Sequence, residues 1–191
     1  MILPFKTKIN GKPTYFVEKI IAGLYRNEII DDRTGKSLIK EYFTFVKEPL
    51  PSPVFYKGSP KIHTIREDKT NRWQVGKTID FYINNRTKKA FCFAPRVPVK
   101  NIQTIKLDYA PSFVYLYIDD ECVEVARIDD GGIEYLFRSL STEGDCPIMH
   151  SLAINDGFES ITEFLNYFYP YEKDGTTCFE GKIIHWTNLK Y

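Results

Sequence analysis

The apolar positions of this chain change period as one reads along it. Near the N-terminus Phe16, Ile20, Ile21 and Leu24 recur at helical spacing and form one apolar face. They predict a helix opened by Lys12-Pro13-Thr14, with proline near its first turn and Gly23 as its end signal. Ahead of it, "MILPFKTKI" reads as a short strand turned by Asn10-Gly11. Residues 27–36 are polar and turn-like, and a second helix is expected over about 36–47, with Leu38, Ile39, Tyr42, Phe43 and Val46 facing inward. "EPLPSP" stops it, because proline cannot continue a helix and restricts the residue before it.

From residue 62 the pattern turns to strands. "IHTIR", "TIDFYIN", "KAFCFA", "VKNIQTIKLDY", "SFVYLYID" and "ECVEVARI" follow one another, with turns at Val75-Gly76-Lys77, at Asn84-Asn85 and in "DDEC". "DDGG" at 129–132 is a further turn, and "GIEYLFRSL" predicts a strand running into a short helix. "MHSLAINDGF" ends in an Asp-Gly turn. In "ESITEFLNYFYP", Ile161, Phe164, Leu165 and Phe168 share a face, so an amphipathic helix is expected there, ended by Pro170. "CFEGKIIHWTNL" is the last strand. Helices at both ends of a run of strands predict an α+β fold around a mostly antiparallel sheet or small barrel.

Composition narrows this further. A length of 191 residues fits one domain, with a core large enough to need no metal or disulfide. The 13 Tyr and 14 Phe suit strands. No apolar run is long enough to span a bilayer, and the N-terminus lacks a signal-peptide pattern, so a cytoplasmic protein is expected. The four cysteines show no zinc or redox spacing and read as free thiols; Cys92, between Phe91 and Phe93, is expected to be buried. No cofactor or metal is expected. The net charge of +1 hides an asymmetry: residues 57–100 carry eleven Lys or Arg against three acids, and residues 101–191 carry six against sixteen. Such a basic middle can attract phosphates or a nucleic-acid backbone, or it can dock on the acidic C-terminal part or simply face solvent.

Several side chains in this basic segment suit ligand binding. Arg66 can present a planar fork to a phosphate or carboxylate, or pair with an acid such as Glu67 or Asp68. Arg72-Trp73 puts a cation beside an aromatic plane, the combination that holds phosphates and stacks bases, although a tryptophan before a turn is more often a core plug. His63 reads as a cleft-lining or hydrogen-bonded structural residue, since neither His150 nor His185 has ligand spacing to it; His185-Trp186 on the last strand can line the same opening. No phosphate loop, His-Glu zinc motif or nucleophile elbow occurs.

Gly58-Ser59-Pro60-Lys61-Ile62-His63-Thr64-Ile65-Arg66, then Gly76, Asp156-Gly157-Phe158 and "GKIIHWT" at 181–187, together resemble the ASCH family in order and spacing. The chain is similar to uncharacterised ASCH-like proteins carried by bacteria and their phages. The resemblance implies a single PUA-like, mostly antiparallel β-barrel over 1–191, with N-terminal helices, a late amphipathic helix and a strand-rich elaboration around 104–148. It also implies a cleft beside the "KxxT" segment. One branch of the family hydrolyses acylated cytidine with a Lys, a Thr and a Glu; Lys61 and Thr64 match the first two, and Asp156 stands where the Glu is expected. On residue chemistry alone, Thr64 needs a base to take its proton, and Lys61 serves only if its pKa falls well below about 10.4. Lys61 also reads as a solvated lysine, Thr64 as a strand residue and Asp156 as turn and cap chemistry.

The leading expectation is RNA or nucleotide binding in a basic, aromatic-lined cleft of Lys61, His63, Thr64, Arg66, Arg72, Trp73, Tyr82 and Asp156. Arg66 and Arg72 would hold phosphate, Trp73 or Tyr82 would stack a base, and Asp156 would accept from a base amino group. The alternatives are an amidohydrolase acting on acylated cytidine-like nucleosides through Lys61, Thr64 and Asp156, or a protein-interaction module presenting aromatic and acidic surface to a protein partner.

Overall fold

The structure, a computed structural model, describes residues 1–51, 58–127, 146–170 and 177–191. The "DDGG" turn and the "GIEYLFRSL" element lie outside the described residues. At the N-terminus, β1 (Ile2–Phe5) is followed by a small hairpin of β2 (Lys8–Ile9) and β3 (Lys12–Pro13), then α1 (Phe16–Arg26) and α2 (Asp32–Val46). Next come β4 (His63–Arg66), β5 (Thr78–Ile83), β6 (Phe91–Cys92), β7 (Val97–Pro98), β8 (Asn101–Ala110), β9 (Phe113–Ile118) and β10 (Glu121–Arg127). The last elements are α3 (Pro147–Asn155), α4 (Ile161–Phe168) and β11 (Cys178–His185).

The strands sort into sheets by their neighbours. The larger sheet is antiparallel with the order β10-β9-β8-β11-β4. In the other, β5 pairs in parallel with β1 and antiparallel with β6 and β7. The α+β mixture with mostly antiparallel sheets is therefore as expected. Among the described residues no ladder joins the two sheets, so the strands do not close into a barrel.

Two hydrophobic cores flank the larger sheet. The first gathers Leu3 and Phe5 of β1, Ile79, Phe81 and Ile83 of β5, the apolar faces of α1 and α2, and both tryptophans. The second packs Ile65, Leu107 and Leu116 against α3 and α4. β11 and the residue after it feed both: Ile183 enters the second core, Ile184 and Trp186 the first. Burial on both faces explains why "KIIHW" is a continuous apolar run instead of an alternating one.

Several boundaries differ from the sequence expectation for local reasons. α1 starts at Phe16 because Lys12-Pro13 are used in the β2–β3 hairpin and Tyr15 adopts a left-handed conformation, φ 54°. It also runs past Gly23, whose role is close approach: a Cβ there would lie 2.4 Å from the carbonyl oxygen of Lys61. α2 starts earlier than expected, at Asp32, where the Asp31 side chain caps the Thr34 N–H at 2.7 Å. Its first turns are polar because they face solvent, so apolar periodicity alone misses them. α3 was not foreseen as a helix. The buried Glu124 carboxylate of β10 accepts the N–H groups of Ile148 and Met149, at 2.7 Å each, and so fixes its start. Cys92, expected inside, is exposed; its neighbour Phe93 takes the core position. No described helix is long and apolar enough to cross a membrane.

Candidate functional site

The strand leading from Lys61 is pinned between two helices. Lys61 N–H donates to Lys19 O of α1 at 3.0 Å, and Ile62 N–H donates to Asn155 O at the end of α3, also at 3.0 Å. This placement brings the Lys61 ammonium onto Asp156, where it donates to both the carboxylate and the main-chain carbonyl. The same carboxylate accepts the Ile65 N–H at 3.2 Å. Below the ammonium lie the rings of Phe16, with its centroid at 4.8 Å, and Phe5, at 5.9 Å. A second lysine, Lys19, donates to Gly157 O at 2.7 Å. Two lysines thus clamp one Asp-Gly turn. That turn needs glycine: Gly157 has φ +91°, and a Cβ there would sit 2.9 Å from Phe16.

The pair is shut off from solvent, with Lys61 1% and Asp156 3% exposed. Burial pulls Lys61 down to about 8, against the opposing pull of Asp156. Burial also pushes the Asp156 carboxyl up, outweighing the stabilisation from Lys61. Thr64, opposite Ile184 on β11, is buried as well. Lys61 and Asp156 therefore meet inside the molecule, and Thr64 is buried nearby in the chain without a hydrogen bond to either among the described residues. Lys19 was missed because it sits next to the apolar Ile20-Ile21 face, where sequence pattern gives no sign of a buried cation.

The remaining expected residues fall in three places. Trp73 is a first-core residue, 4% exposed. Tyr82, half-buried, alternates with the inward Phe81 and Ile83 on β5 and pairs with Pro4 and Cys92. Arg66 and Arg72 stand at the far end of β4, around Asp68. The Asp68 carboxylate accepts the N–H groups of Arg72 and Trp73, each at 2.9 Å, and pairs with Lys182 at 3.3 Å. Burial works against that carboxylate, but these donors together outweigh it and hold it below the ordinary range. Lys77 donates to Arg72 O at 2.7 Å. The Arg72 side chain, 66% exposed, lies 3.8 Å from Asp68. Arg66 is the cross-strand partner of Lys182; it donates to Pro4 O at 2.8 Å and covers the Phe5 ring, at 5.4 Å. Among the described residues it forms no ion pair with a carboxylate. The result is a basic cluster in which Arg72 and Lys182 share the covered Asp68 carboxylate, Lys77 is tied to Arg72, and Arg66 stands across from Lys182. Lys182 escaped the sequence reading because it is far away in the chain and joins only through the β4–β11 ladder.

His63 lies on the opposite side of β4 from Thr64 and faces its cross-strand partner His185; both are 0% exposed, with ring centroids 5.3 Å apart. An open depression of about 500 Å³ lies elsewhere, lined by Tyr25, Arg26, Glu28, Ile30 and Asp31, and includes none of the expected site residues. Among the described residues no group of three or more His, Cys, Asp or Glu is placed to hold a metal ion. No protein-family model matches the chain, and neither curated proteins nor solved structures provide a similar one.

Proposed function

We propose that the protein binds single-stranded RNA or a nucleotide-like ligand through the basic loop around Asp68. The observation that carries this reading is the bracing of the loop by a buried carboxylate, which holds the exposed Arg72 guanidinium near Lys182, the cross-strand partner of Arg66. A loop fixed in this way loses little freedom when it meets a phosphate, so its charge is pre-organised for binding. From Arg66 the surface continues over Pro4 to Tyr82, an aromatic turned away from the core and available to a base. The resemblance to ASCH domains supports the same reading, and a PUA-like kinship of the fold belongs to this proposal. Trp73 is released from the ligand set because it is buried in the first core.

The test is fluorescence anisotropy with a labelled single-stranded RNA across a salt series. Affinity is expected to fall steeply with salt. Arg72→Ala, at an exposed position, should weaken binding several-fold and reduce the log–log salt slope by about 0.7, one single-strand phosphate contact. No measurable binding at low salt sinks the proposal.

A second reading, amide hydrolysis on an acylated cytidine, has its own support in the buried Lys61–Asp156 pair, because an amine titrating at about 8 is poised to act as a base. It requires the closed corner to open to substrate. Incubation with acetylcytidine should then release cytidine at a rate rising with pH through about 8, as Lys61 loses its proton. Absence of cytidine at high protein concentration removes this reading.

A further inference from the structure

The side of the larger sheet that carries His63 and His185 holds polar atoms without a partner among the described residues. His63 Nε2, both ring nitrogens of His185 and Asn101 Nδ2 are buried there with no hydrogen bond. They form a row, since Asn101 pairs with His185 and His185 pairs with His63 across adjacent strands. Tyr191 is packed against the row, with its ring centroid 5.5 Å from that of His63 and 6.0 Å from that of His185.

The contacts of Tyr191 assign the proton on His63. Asn155 Nδ2 donates to the Tyr191 hydroxyl at 2.9 Å, and the hydroxyl donates to Ser151 O at 3.4 Å. All three contacts of the hydroxyl are satisfied together only if His63 Nδ1, at 3.3 Å, is the donor. His63 Nε2 then carries a buried lone pair. A proton added there, or on His185, creates a cation with no acceptor in reach among the described residues. The charged groups around it give mixed support. Lys61 and His185 oppose a proton on His63, and Lys190, beside Tyr191, opposes one on His185. Asp119, at the β9–β10 turn, favours one on His185 but is already engaged by Gln103 and Thr104. Asp156 is engaged by Lys61. Burial already holds both imidazoles below their ordinary range.

Such a charge is relieved only by water, and the covers over it differ in strength. β4 and β11 are locked into the sheet between two cores. Residues 187–191 lie outside the ladders, and their Tyr191 main chain is held by one side chain: Gln103 Nε2 donates to Tyr191 O, and Tyr191 N–H donates to Gln103 Oε1, each at 2.9 Å. We propose that His63, His185 and Tyr191 form an acid-released latch, in which a proton on either imidazole frees the strap at 187–191 and admits water to the histidine row while the sheet stays intact. The strap also touches the corner described above, because Asn155, which donates to Tyr191, receives the Ile62 N–H next to Lys61.

Amide exchange followed by NMR at pH 7.5 and pH 5.0, normalised to intrinsic rates, tests this. Protection at Tyr191 should fall at least about ten-fold at pH 5.0, while Ile183 in β11 keeps its protection. His63→Phe and His185→Phe should each reduce the loss. Equal Tyr191 protection at both pH values, or simultaneous loss at Tyr191 and Ile183, overturns the proposal. If the variants do not fold, the ring protons of His63 and His185 in the unaltered protein serve instead: a histidine that titrates while Tyr191 stays protected overturns the latch, and titration together with release supports it.

Discussion

Lys61 and Asp156 illustrate how far a residue's surroundings can change its meaning. A lysine after a proline reads equally as a solvated side chain or a working amine, and this one is buried against a carboxylate, a carbonyl and two aromatic rings. Removing one member of a buried pair leaves the other charge uncompensated, at a cost of about 3–5 kcal/mol, whereas replacing both with apolar residues is often nearly neutral. Asp156→Ala should therefore lower the urea midpoint sharply, because it also deprives the Ile65 N–H of its acceptor. Lys61→Met combined with Asp156→Leu should recover much of the loss. If Asp156→Ala unfolds at the same urea concentration as the parent, the pair contributes nothing to stability. The convergence of Lys61 and Asp156 was legible in the motif pattern. Its enclosure was not, because residue identity and spacing carry no measure of desolvation. The same limit hid Lys19 and turned Trp73 from a stacking candidate into core.

The elements show a similar division. Strands with clear alternation, such as β5 and β9, and the amphipathic α4 lie where their periods predict. α3 was missed because its apolar residues surround it without a dominant face, and because its start is set by Glu124, a residue on a distant strand. Gly23 looked like a helix end and is instead a contact point in mid-helix. Alanine there would gain about 0.5–1 kcal/mol of helix propensity. A Cβ 2.4 Å from the Lys61 carbonyl oxygen, however, meets backbone that cannot rotate away. Overpacking of this kind typically costs about 1–3 kcal/mol, so the steric term wins. Gly23→Ala should be destabilising in urea titrations; a neutral or stabilising result would mean that α1 slides freely over residues 61–62.

At the scale of the whole molecule, the two buried imidazoles predict a stability profile. His63 is held well below 6.5 and His185 at about 4, both chiefly by burial. The unfolded chain therefore takes up protons near pH 6.5 that the folded chain refuses. Stability is complete above that pH and is lost progressively as the pH falls toward 4, with His185 alone accounting for on the order of 3 kcal/mol. Thermal melts between pH 7.5 and 4.5 should show this decline, and His185→Phe should flatten it. A profile that stays level down to pH 4.5 contradicts the burial of neutral imidazoles.

The position of β11 between β8 and β4 has a consequence for how the protein is made. β4 is made well before the strand that covers its edge, because that strand, and the Ile184 and Trp186 side chains that complete the first core, belong to a segment far downstream of it. Until that segment follows, the nascent chain carries an open sheet and a partly filled core. Its hazard of misassembly is therefore greatest just before residues 178–186 emerge, and ends when they insert.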